Sequence, residues 1–299
     1  NIGYIKISRF AGTTYEEFMQ AATKLKTLGM KKMILDLRDN GGGYLTSAVN
    51  IADEFLAPGK MIVYTEGAYR DRFEYKSTNS DFLKETELVI LINSWSASAS
   101  EIVSGAIQDN DRGTILGRRS FGKGLVQEEF TFSDNSGVRI TIARYYTPVG
   151  RSIQKPYNNG TEFYYHDIYK RAAGGELEEK DSIGFPDSLK YYTEGGKLLY
   201  GGGGIMPDIF VPIDTTPYSD YYYDLTRRGL IYTFALNYAD LNRTTLSDFT
   251  NYSDINDFLN KSKVLNDFIK YSIKEGVQYN RKEFKISEKI IFTLLKAYI

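Results

Sequence analysis

The sequence predicts an α/β fold in the larger, N-terminal part of the chain and a helical region after it. Strand-like apolar segments alternate with helical patterns through roughly the first 120 residues, which is typical of a parallel sheet covered by helices. From about residue 215 onward the sequence carries helical patterns. We therefore expect two regions, residues 1–214 and residues 215–299.

The alternation that predicts the sheet is visible segment by segment. Strand patterns, in which apolar residues alternate or run together, occur in IGYIKISRF, KKMILDLRD, ELVILIN and GTILG. Helical patterns, in which apolar residues recur every three or four positions, occur in TTYEEFMQAATKLKTLG, NGGGYLTSAVNIADEFL and SEIVSGAIQDN. Each helix stands between two strand segments, as parallel pairing requires.

The rest of the chain predicts antiparallel strands and then helices. MIVYTEG and FEYKS indicate a strand pair, and LVQEEFTFSDNSGVRITIARYYTP indicates a hairpin that turns at Asn135-Ser136-Gly137. Residues 151 to about 200 are polar, and we interpret them as irregular. The segment YGGGGIMPDIFVP predicts a further strand near residue 210. Helices are predicted in DLTRRGLIYTFALNYADL, INDFLNKSKVLNDFIKYSIKEG and SEKIIFTLLKAYI.

The composition excludes several classes of function. A net charge of −1 gives no electrostatic reason for binding nucleic acid or an anionic membrane. The absence of cysteine excludes disulfides, thiolate zinc sites and a cysteine nucleophile. No apolar run approaches the roughly 20 residues of a membrane-spanning helix. With 42% hydrophobic and 25% charged residues, the chain has the composition of an ordinary globular protein.

A run of three glycines follows the second strand, in LDLRDNGGGYL. Glycine lets the backbone take positive φ and approach a ligand closely. The amides of such a turn, next to a helix N-terminus, can bind an anion or a developing oxyanion. A tight strand-to-helix turn without a ligand explains the same residues, and the segment alone does not decide between the two.

Four serines, Ser94, Ser96, Ser98 and Ser100, lie at the start of the third helix, in NSWSASASEIVSGA. A serine at a helix N-terminus can act as a nucleophile, because the next amide and the helix dipole stabilise negative charge. The pattern Ser98-Ala99-Ser100-Glu101 also fits a capping box, in which Ser98 only caps the helix. By pattern alone the cap is favoured, and Ser96 and Ser100 are alternatives for either role.

The segment GRRSFGKGLVQ begins like a phosphate-binding P-loop, with the pattern G-x-x-x-x-G-K from Gly117 to Lys123. Gly124 stands where a magnesium-binding Ser or Thr belongs, and a strand pattern follows instead of a helix. We therefore expect no nucleotide site. A lysine between two glycines can instead point into a cleft, where burial favours its neutral form and it can act as a general base. An ordinary solvated lysine is the simpler interpretation.

The one histidine of the sequence, His166, is a weak candidate for a catalytic base. A Ser-His-Asp site would have to use it, but it lies in the polar segment EFYYHDIYK. We interpret it as a surface or packing residue. If a serine of this chain is a nucleophile, we expect its base to be a lysine, and Lys123 is the best placed.

Together these segments resemble the C-terminal processing peptidases, also called tail-specific proteases. The resemblance covers residues 1–214 and rests, in the order that the family shows, on LDLRDNGGG, SWSASASEIVSGAIQDNDRG, GRRSFGKGLVQ, ITIARYYTPVGRSIQ and YGGGGIMPDIFVP. It implies an α/β peptidase core related to the crotonase and ClpP architectures, with the helical region after residue 214 outside the matching motifs.

The resemblance also implies the catalytic residues. The family uses a serine as nucleophile, a lysine as base and a glutamine four residues beyond the lysine. Transferred to this sequence, these are Ser98, Lys123 and Gln127. If the strand after Lys123 is regular, Gln127 lies on the same face as Lys123 and can hold the amine in position. A serine hydroxyl needs such a base, and a lysine qualifies only when it is neutral.

The oxyanion of the reaction would be bound by two backbone amides. One is the amide of Ala99, which follows the expected nucleophile, and the other belongs to the NGGG turn. Gly42 is the first choice in that turn, with Gly43 and Gly41 as alternatives. No metal or cofactor is implied.

The family activity implied by the resemblance is that of a serine endopeptidase that cleaves proteins near their C-termini through an acyl-enzyme. Its substrates would be proteins or peptides with accessible C-terminal tails, without nucleic acid or nucleotide. Members of the family usually carry a PDZ domain ahead of this core, and residues 1–214 show no pattern of one, so a PDZ domain is expected upstream in the full-length chain. The expected location is the bacterial cell envelope or periplasm. The rival hypothesis is a non-catalytic module that binds extended peptides by strand addition.

Overall fold

The computed structural model describes residues 1–78, 80, 82–157, 160–183 and 187–299. The chain divides into two compact units, Asn1–Ile213 and Asp214–Ile299. The first unit combines strands and helices, and the second is built from helices. This arrangement confirms the predicted α/β fold with a helical C-terminal region.

Up to residue 150, the strands and helices of the first unit follow the predicted order. Its strands are β1 (Ile2–Lys6), β2 (Lys32–Asp36), β3 (Met61–Gly67), β4 (Arg70–Lys76), β5 (Glu87–Ile92), β6 (Thr114–Gly117), β7 (Leu125–Thr131), β8 (Gly137–Tyr146), β9 (Lys190–Tyr192), β10 (Leu198–Tyr200) and β11 (Ile209–Phe210). Its helices are α1 (Thr14–Thr27), α2 (Leu45–Asp53), α3 (Ala99–Asp109) and α4 (Thr161–Ala173).

A parallel sheet forms the centre of the first unit, with the strand order β1-β2-β5-β6-β11. Leu35 on β2 and Ile90 on β5 are fully buried, as expected of central strands that are covered on both faces. The glycine turn follows β2 and the serine segment follows β5. Because β2 and β5 are parallel neighbours, both segments leave the sheet at the same edge.

The antiparallel strands form a second sheet with the order β4-β3-β8-β7. The predicted hairpin is confirmed: β7 pairs with β8, and Asn135 takes the positive φ of 65° that its turn requires. A β-bulge interrupts the pairing between Val126 and Gln127. β7 begins at Leu125, two residues after Lys123, so the expected base lies directly before a strand of this sheet.

The interpretation of residues 151 to about 200 as irregular is wrong for a large part of that stretch. It contains α4, the β9–β10 strand pair and two short 3₁₀ helices, Lys180–Ser182 and Asp187–Leu189. On α4 only Ile168 and Arg171 are buried, so the helix has no apolar stripe from which it could have been predicted. Residues 158, 159 and 184–186 of the stretch lie outside the described residues.

The second unit has its own hydrophobic core. Its helices are α5 (Asp220–Arg227), α6 (Leu230–Leu241), α7 (Arg243–Ser247), α8 (Tyr252–Lys261), α9 (Val264–Lys274) and α10 (Arg281–Tyr298). Fully buried Leu225, Ala235, Phe268, Ile291 and Leu295 belong to this core. Among the described residues, no helix has both the length and the apolar character needed to cross a membrane.

Candidate active site

Ser98 occupies the N-cap of α3 in an unusual backbone conformation, with φ 55° and ψ −111°. Few L-residues adopt positive φ, and such residues concentrate at functional sites. The Ser98 side chain is half-buried. A capping box joins Ser98 to Glu101: the Ser98 N–H donates to Glu101 Oε2 at 2.8 Å, and the Glu101 N–H donates to the Ser98 carbonyl oxygen at 2.8 Å. The predicted helix start and the predicted capping box are therefore both confirmed.

The two alternative serines are buried and have structural partners. Ser96 Oγ donates to the Leu37 carbonyl at 2.8 Å, and Ser100 Oγ donates to the Asn40 carbonyl at 2.9 Å. Both side chains are fully buried. Each therefore ties the serine segment to the chain that follows β2, and neither is positioned to meet a substrate.

The glycine turn packs directly against Ser98. A side-chain Cβ on Gly42 would lie 2.8 Å from Ser98 Cβ and 2.7 Å from the Ala97 carbonyl oxygen, and Gly42 has a φ of 96°. Both the space and the conformation therefore require glycine here. Asn40 fixes the turn, because its Nδ2 donates to the Ile7 carbonyl at 2.7 Å while its Oδ1 accepts the Gly42 N–H at 2.8 Å.

The strand end before this turn is held by an ion pair. The Arg38 guanidinium donates to both oxygens of the buried Asp36 carboxylate, at 2.9 and 2.7 Å, and the Tyr4 hydroxyl donates to it at 2.7 Å. Burial alone would raise the pKa of Asp36, but the bonds from Arg38 and Tyr4 lower it to about 2. The carboxylate is therefore ionised at any ordinary pH, and its bonds hold Arg38 at the end of β2.

The backbone amides expected to bind an oxyanion differ in their present bonding. Within the described residues, the N–H groups of Ala99, Gly41 and Gly43 have no hydrogen-bond acceptor. The Gly42 N–H, by contrast, already donates to Asn40. A Cβ on Gly42 would lie 3.0 Å from the Ala99 nitrogen, so the turn and the Ala99 amide adjoin each other.

Glu101 connects the segment of Ser98 to the segment of Lys123. It is fully buried, and its Oε2 accepts the backbone N–H of Ser98 at 2.8 Å and that of Lys123 at 2.9 Å. Its Oε1 accepts the Gly122 N–H at 2.6 Å and the Ser120 hydroxyl at 2.5 Å. Burial raises the pKa of Glu101, whereas these four donors favour its ionised form.

The side chains of Lys123 and Gln127 are both exposed. Within the described part of the chain, no hydrogen bond joins either side chain to Ser98 Oγ or joins the two to each other. Lys123 precedes β7, and the bulge lies directly before Gln127. Regular alternation therefore does not extend from Gln127 to Lys123, and their contact stays a prediction.

His166 lies on α4 with an exposed side chain and contacts the ring of Tyr169, with ring centroids 5.8 Å apart.

Glu101 links two expected catalytic residues, and the sequence identified it only as part of a capping box. Its bonds to Gly122 and Lys123 join positions more than 20 residues apart, which no local pattern reveals.

The sequence matches two family models, Peptidase family S41 over residues 1–162 and Family of unknown function (DUF8443) over residues 221–299. The carboxyl-terminal-processing protease of Synechocystis sp. is 41% identical over 155 residues, which cover 52% of this chain and 36% of that protein. The carboxy-terminal-processing protease of Bartonella bacilliformis is 40% identical over 158 residues, which cover 52% of this chain and 36% of that protein. The chain thus spans about a third of these relatives' length.

The solved structure of the photosystem II D1 C-terminal processing protease is similar to this fold. It has a TM-score of 0.51 and 30% sequence identity, and the match covers 72% of this chain and 44% of that one. The expected peptidase core of the crotonase and ClpP type is thereby confirmed. With the S41 model matching residues 1–162, more than half of its length, the chain belongs to peptidase family S41.

Proposed function

We propose that this protein is a serine endopeptidase that cleaves proteins near their C-termini through an acyl-enzyme on Ser98. The observation that carries the proposal is the environment of Ser98: a strained, half-buried serine at a helix N-terminus, next to an unpartnered amide and linked through Glu101 to the segment of Lys123. The family and the names of the two bacterial relatives support the reaction class.

The proposed reaction has two halves. Ser98 Oγ attacks the scissile carbonyl carbon while the neutral Lys123 amine takes the hydroxyl proton. The tetrahedral intermediate collapses, the C–N bond breaks, and the Lys123 ammonium gives the proton to the leaving amine. A water molecule then attacks the acyl-enzyme, with the same lysine as base, and releases the new carboxylate and Ser98.

The oxyanion of each tetrahedral intermediate would be bound by the Ala99 N–H and one amide of the glycine turn. Gly42 can serve only when its N–H leaves Asn40, whereas Gly41 and Gly43 donate without breaking a bond. The positive end of the α3 dipole lies at the same point and favours the negative charge.

Lys123 is exposed in the absence of substrate, and a hydrated ammonium cannot act as a base. We therefore propose that the bound polypeptide excludes water from Lys123 and favours its neutral form. Gln127 would hold the amine without adding a charge, once the substrate orders the two side chains.

The catalytic core is proposed to be residues 1–214, with residues 215–299 as a separate helical region. Proteins with accessible C-terminal tails are the proposed substrates. The resemblance also supports a PDZ domain upstream in the full-length chain and a location in the cell envelope. No nucleic acid or nucleotide takes part in this proposal.

The proposal is tested by hydrolysis of an unstructured protein with an apolar tail, using the full-length enzyme. We expect Ser98→Ala and Lys123→Ala to lower kcat by at least about 1,000-fold, because each removes a group that acts at the reacting atoms. His166→Ala is the control and should retain activity. Equal turnover by wild type and either site variant would overturn the assignment. Tight peptide binding without any turnover by the wild type would favour the non-catalytic module.

A further inference from the structure

Helix α4 contacts the segment that carries the expected base. We name residues 118–123 the base loop, since they connect β6 to Lys123. Residues beyond 162 lie outside the S41 match, so most of α4, Thr161–Ala173, is not described by the family model.

Arg171 on α4 binds two consecutive carbonyl groups of the base loop. Its Nη1 donates to the Ser120 carbonyl at 3.0 Å and its Nη2 to the Arg119 carbonyl at 2.9 Å. The third guanidinium nitrogen, Nε, donates to Glu176 at 2.7 Å, and Glu176 also accepts two bonds of 2.8 Å from Arg119. Arg171 is only 7% exposed. The planar guanidinium thus fixes the direction of both carbonyls.

A second contact joins α4 to the base loop through Lys155. The Lys155 backbone N–H donates to the Gly122 carbonyl at 3.0 Å. Its buried ammonium lies 3.9 Å from the centre of the Phe121 ring and 4.4 Å from that of the Tyr164 ring. Asp167 accepts a hydrogen bond from it at 3.1 Å. Two residues of α4, Tyr164 and Asp167, therefore hold Lys155 against Phe121.

Hydrogen bonds connect the base loop to the backbone of the proposed catalytic residues. The Ser120 carbonyl is bound by Arg171, and the Ser120 hydroxyl donates to Glu101. Glu101 in turn accepts the backbone N–H groups of Ser98 and Lys123. A short path of hydrogen bonds therefore runs from α4 to the backbone of both the nucleophile and the base.

We propose that α4 positions the catalytic lysine, with Arg171 as the positioning residue that sets the base loop through the Arg119 and Ser120 carbonyls. The proposal rests on the proposed role of Lys123 as base. The exposed Lys123 side chain makes no bond of its own in the described structure, so its backbone is what fixes where the amine can reach. A displacement of about 1 Å in a catalytic group can cost up to 100-fold in rate.

The test compares two adjacent charge-removing substitutions on α4 in the full-length enzyme. Arg171→Gln removes the guanidinium from the base loop, and Lys170→Gln removes an exposed cation that contacts Phe163. We expect Arg171→Gln to lower kcat by between about 10- and 100-fold with KM within about twofold of wild type. The pH at half-maximal kcat should move upward, because a displaced and better hydrated ammonium holds its proton more firmly. Lys170→Gln should match wild type in both.

Further variants separate positioning from folding. Arg171→Lys keeps the charge but cannot bind both carbonyls in the same plane, so we expect a kcat between those of wild type and Arg171→Gln. Asp167→Asn removes the negative charge that holds Lys155 and leaves Arg171 intact, and it should change kcat and the pH profile in the same direction by a smaller factor. It serves as the principal variant if Arg171→Gln does not fold.

Ser98→Ala and Lys123→Ala are measured in parallel. If they keep turnover, the proposed site fails. If they abolish turnover while the folded Arg171→Gln and Asp167→Asn enzymes keep the wild-type kcat and pH profile, only the role of α4 is overturned. A loss of activity explained entirely by a smaller folded fraction, with an unchanged kcat per folded molecule, would also overturn it.

Discussion

At the scale of single residues, Ser98 combines its proposed role as nucleophile with a conformational cost. Its φ of 55° and ψ of −111° place an L-residue in a region that glycine tolerates far better. Such a conformation costs on the order of 1–3 kcal/mol and persists where the surroundings impose it. Here two neighbours impose it: the Glu101 carboxylate accepts the Ser98 N–H, and the Gly42 backbone packs against the Cβ of Ser98.

This cost predicts a stability difference between two inactive variants. Ser98→Gly and Ser98→Ala both remove the hydroxyl, but only glycine relieves the strained backbone. Glycine also has more conformational entropy in the unfolded state, which offsets part of the relieved strain. The free energy of unfolding of Ser98→Gly should therefore exceed that of Ser98→Ala by about 1 kcal/mol. Urea denaturation measures both values. A more stable Ser98→Ala variant would contradict the strain.

Glu101 predicts a pH dependence of stability. Burial raises its pKa in the folded state, so its contribution to the free energy of unfolding is full below its unfolded pKa of about 4.3 and is lost as the pH rises through the folded value. The Glu101→Gln variant lacks this titration. The stability of wild type relative to Glu101→Gln should therefore fall as the pH rises from about 4, measured by urea denaturation at each pH. A difference that grows with pH would contradict the raised pKa.

The residues of the candidate site differ in how well their roles can be predicted from the sequence. The residue pattern alone favours a helix cap at Ser98 and a solvated side chain at Lys123; their catalytic roles are implied by the resemblance to the C-terminal processing peptidases. Glu101 was recognised only as a local partner of Ser98, because its other donors lie more than 18 residues away. No sequence pattern indicates the role of Arg171, because its partners on the base loop are backbone carbonyls, which any residue type provides.

At the scale of elements, the turn after β2 and the start of α3 form one structural unit. Gly42 N–H is bound by Asn40, and the Asn40 carbonyl is bound by Ser100 of α3. The distance between the amides that we propose to bind the oxyanion is therefore set by packing between the two segments.

Gly42→Ala should disturb this packing. Its Cβ would lie within 2.7–3.0 Å of Ala97 O, Ser98 Cβ and the Ala99 nitrogen, at a φ of 96°. We expect a loss of about 1–3 kcal/mol in stability and at least a tenfold lower kcat. Gly59→Ala is the matched control, because Gly59 has a φ of 80° but no atom within 4 Å of its Cβ position. It should lose stability and keep kcat; equal kcat values for the two variants would contradict the role of Gly42.

The sequence predicted the elements with apolar periodicity and missed those without it. β2 and β5 are buried strands whose residues read as continuous apolar runs, and they were placed correctly. α4 was missed because tyrosines and charged residues dominate it, and its buried face is formed by Ile168 and Arg171. Its contribution comes from polar contacts with the base loop, which hydrophobic spacing does not report.

At the scale of the whole molecule, the chain consists of two units with separate cores. The core cluster of the first unit and that of the second share no residue, and the two family matches fall on different units. We predict that residues 1–213 and residues 214–299, produced separately, each unfold in one cooperative transition by circular dichroism. A helical fragment that is unfolded on its own would contradict their independence.

The proposed mechanism requires Ser98 as the nucleophile and Lys123 as its base. Rapid acid quenching of the full-length enzyme with a peptide ester, followed by mass spectrometry of its digested peptides, detects the acyl-enzyme directly. We predict one acyl group, on the peptide that contains Ser98, absent from Ser98→Ala and formed at least about 1,000-fold more slowly in Lys123→Ala. An acyl group on another residue, or equally fast acylation of Lys123→Ala, would contradict this mechanism.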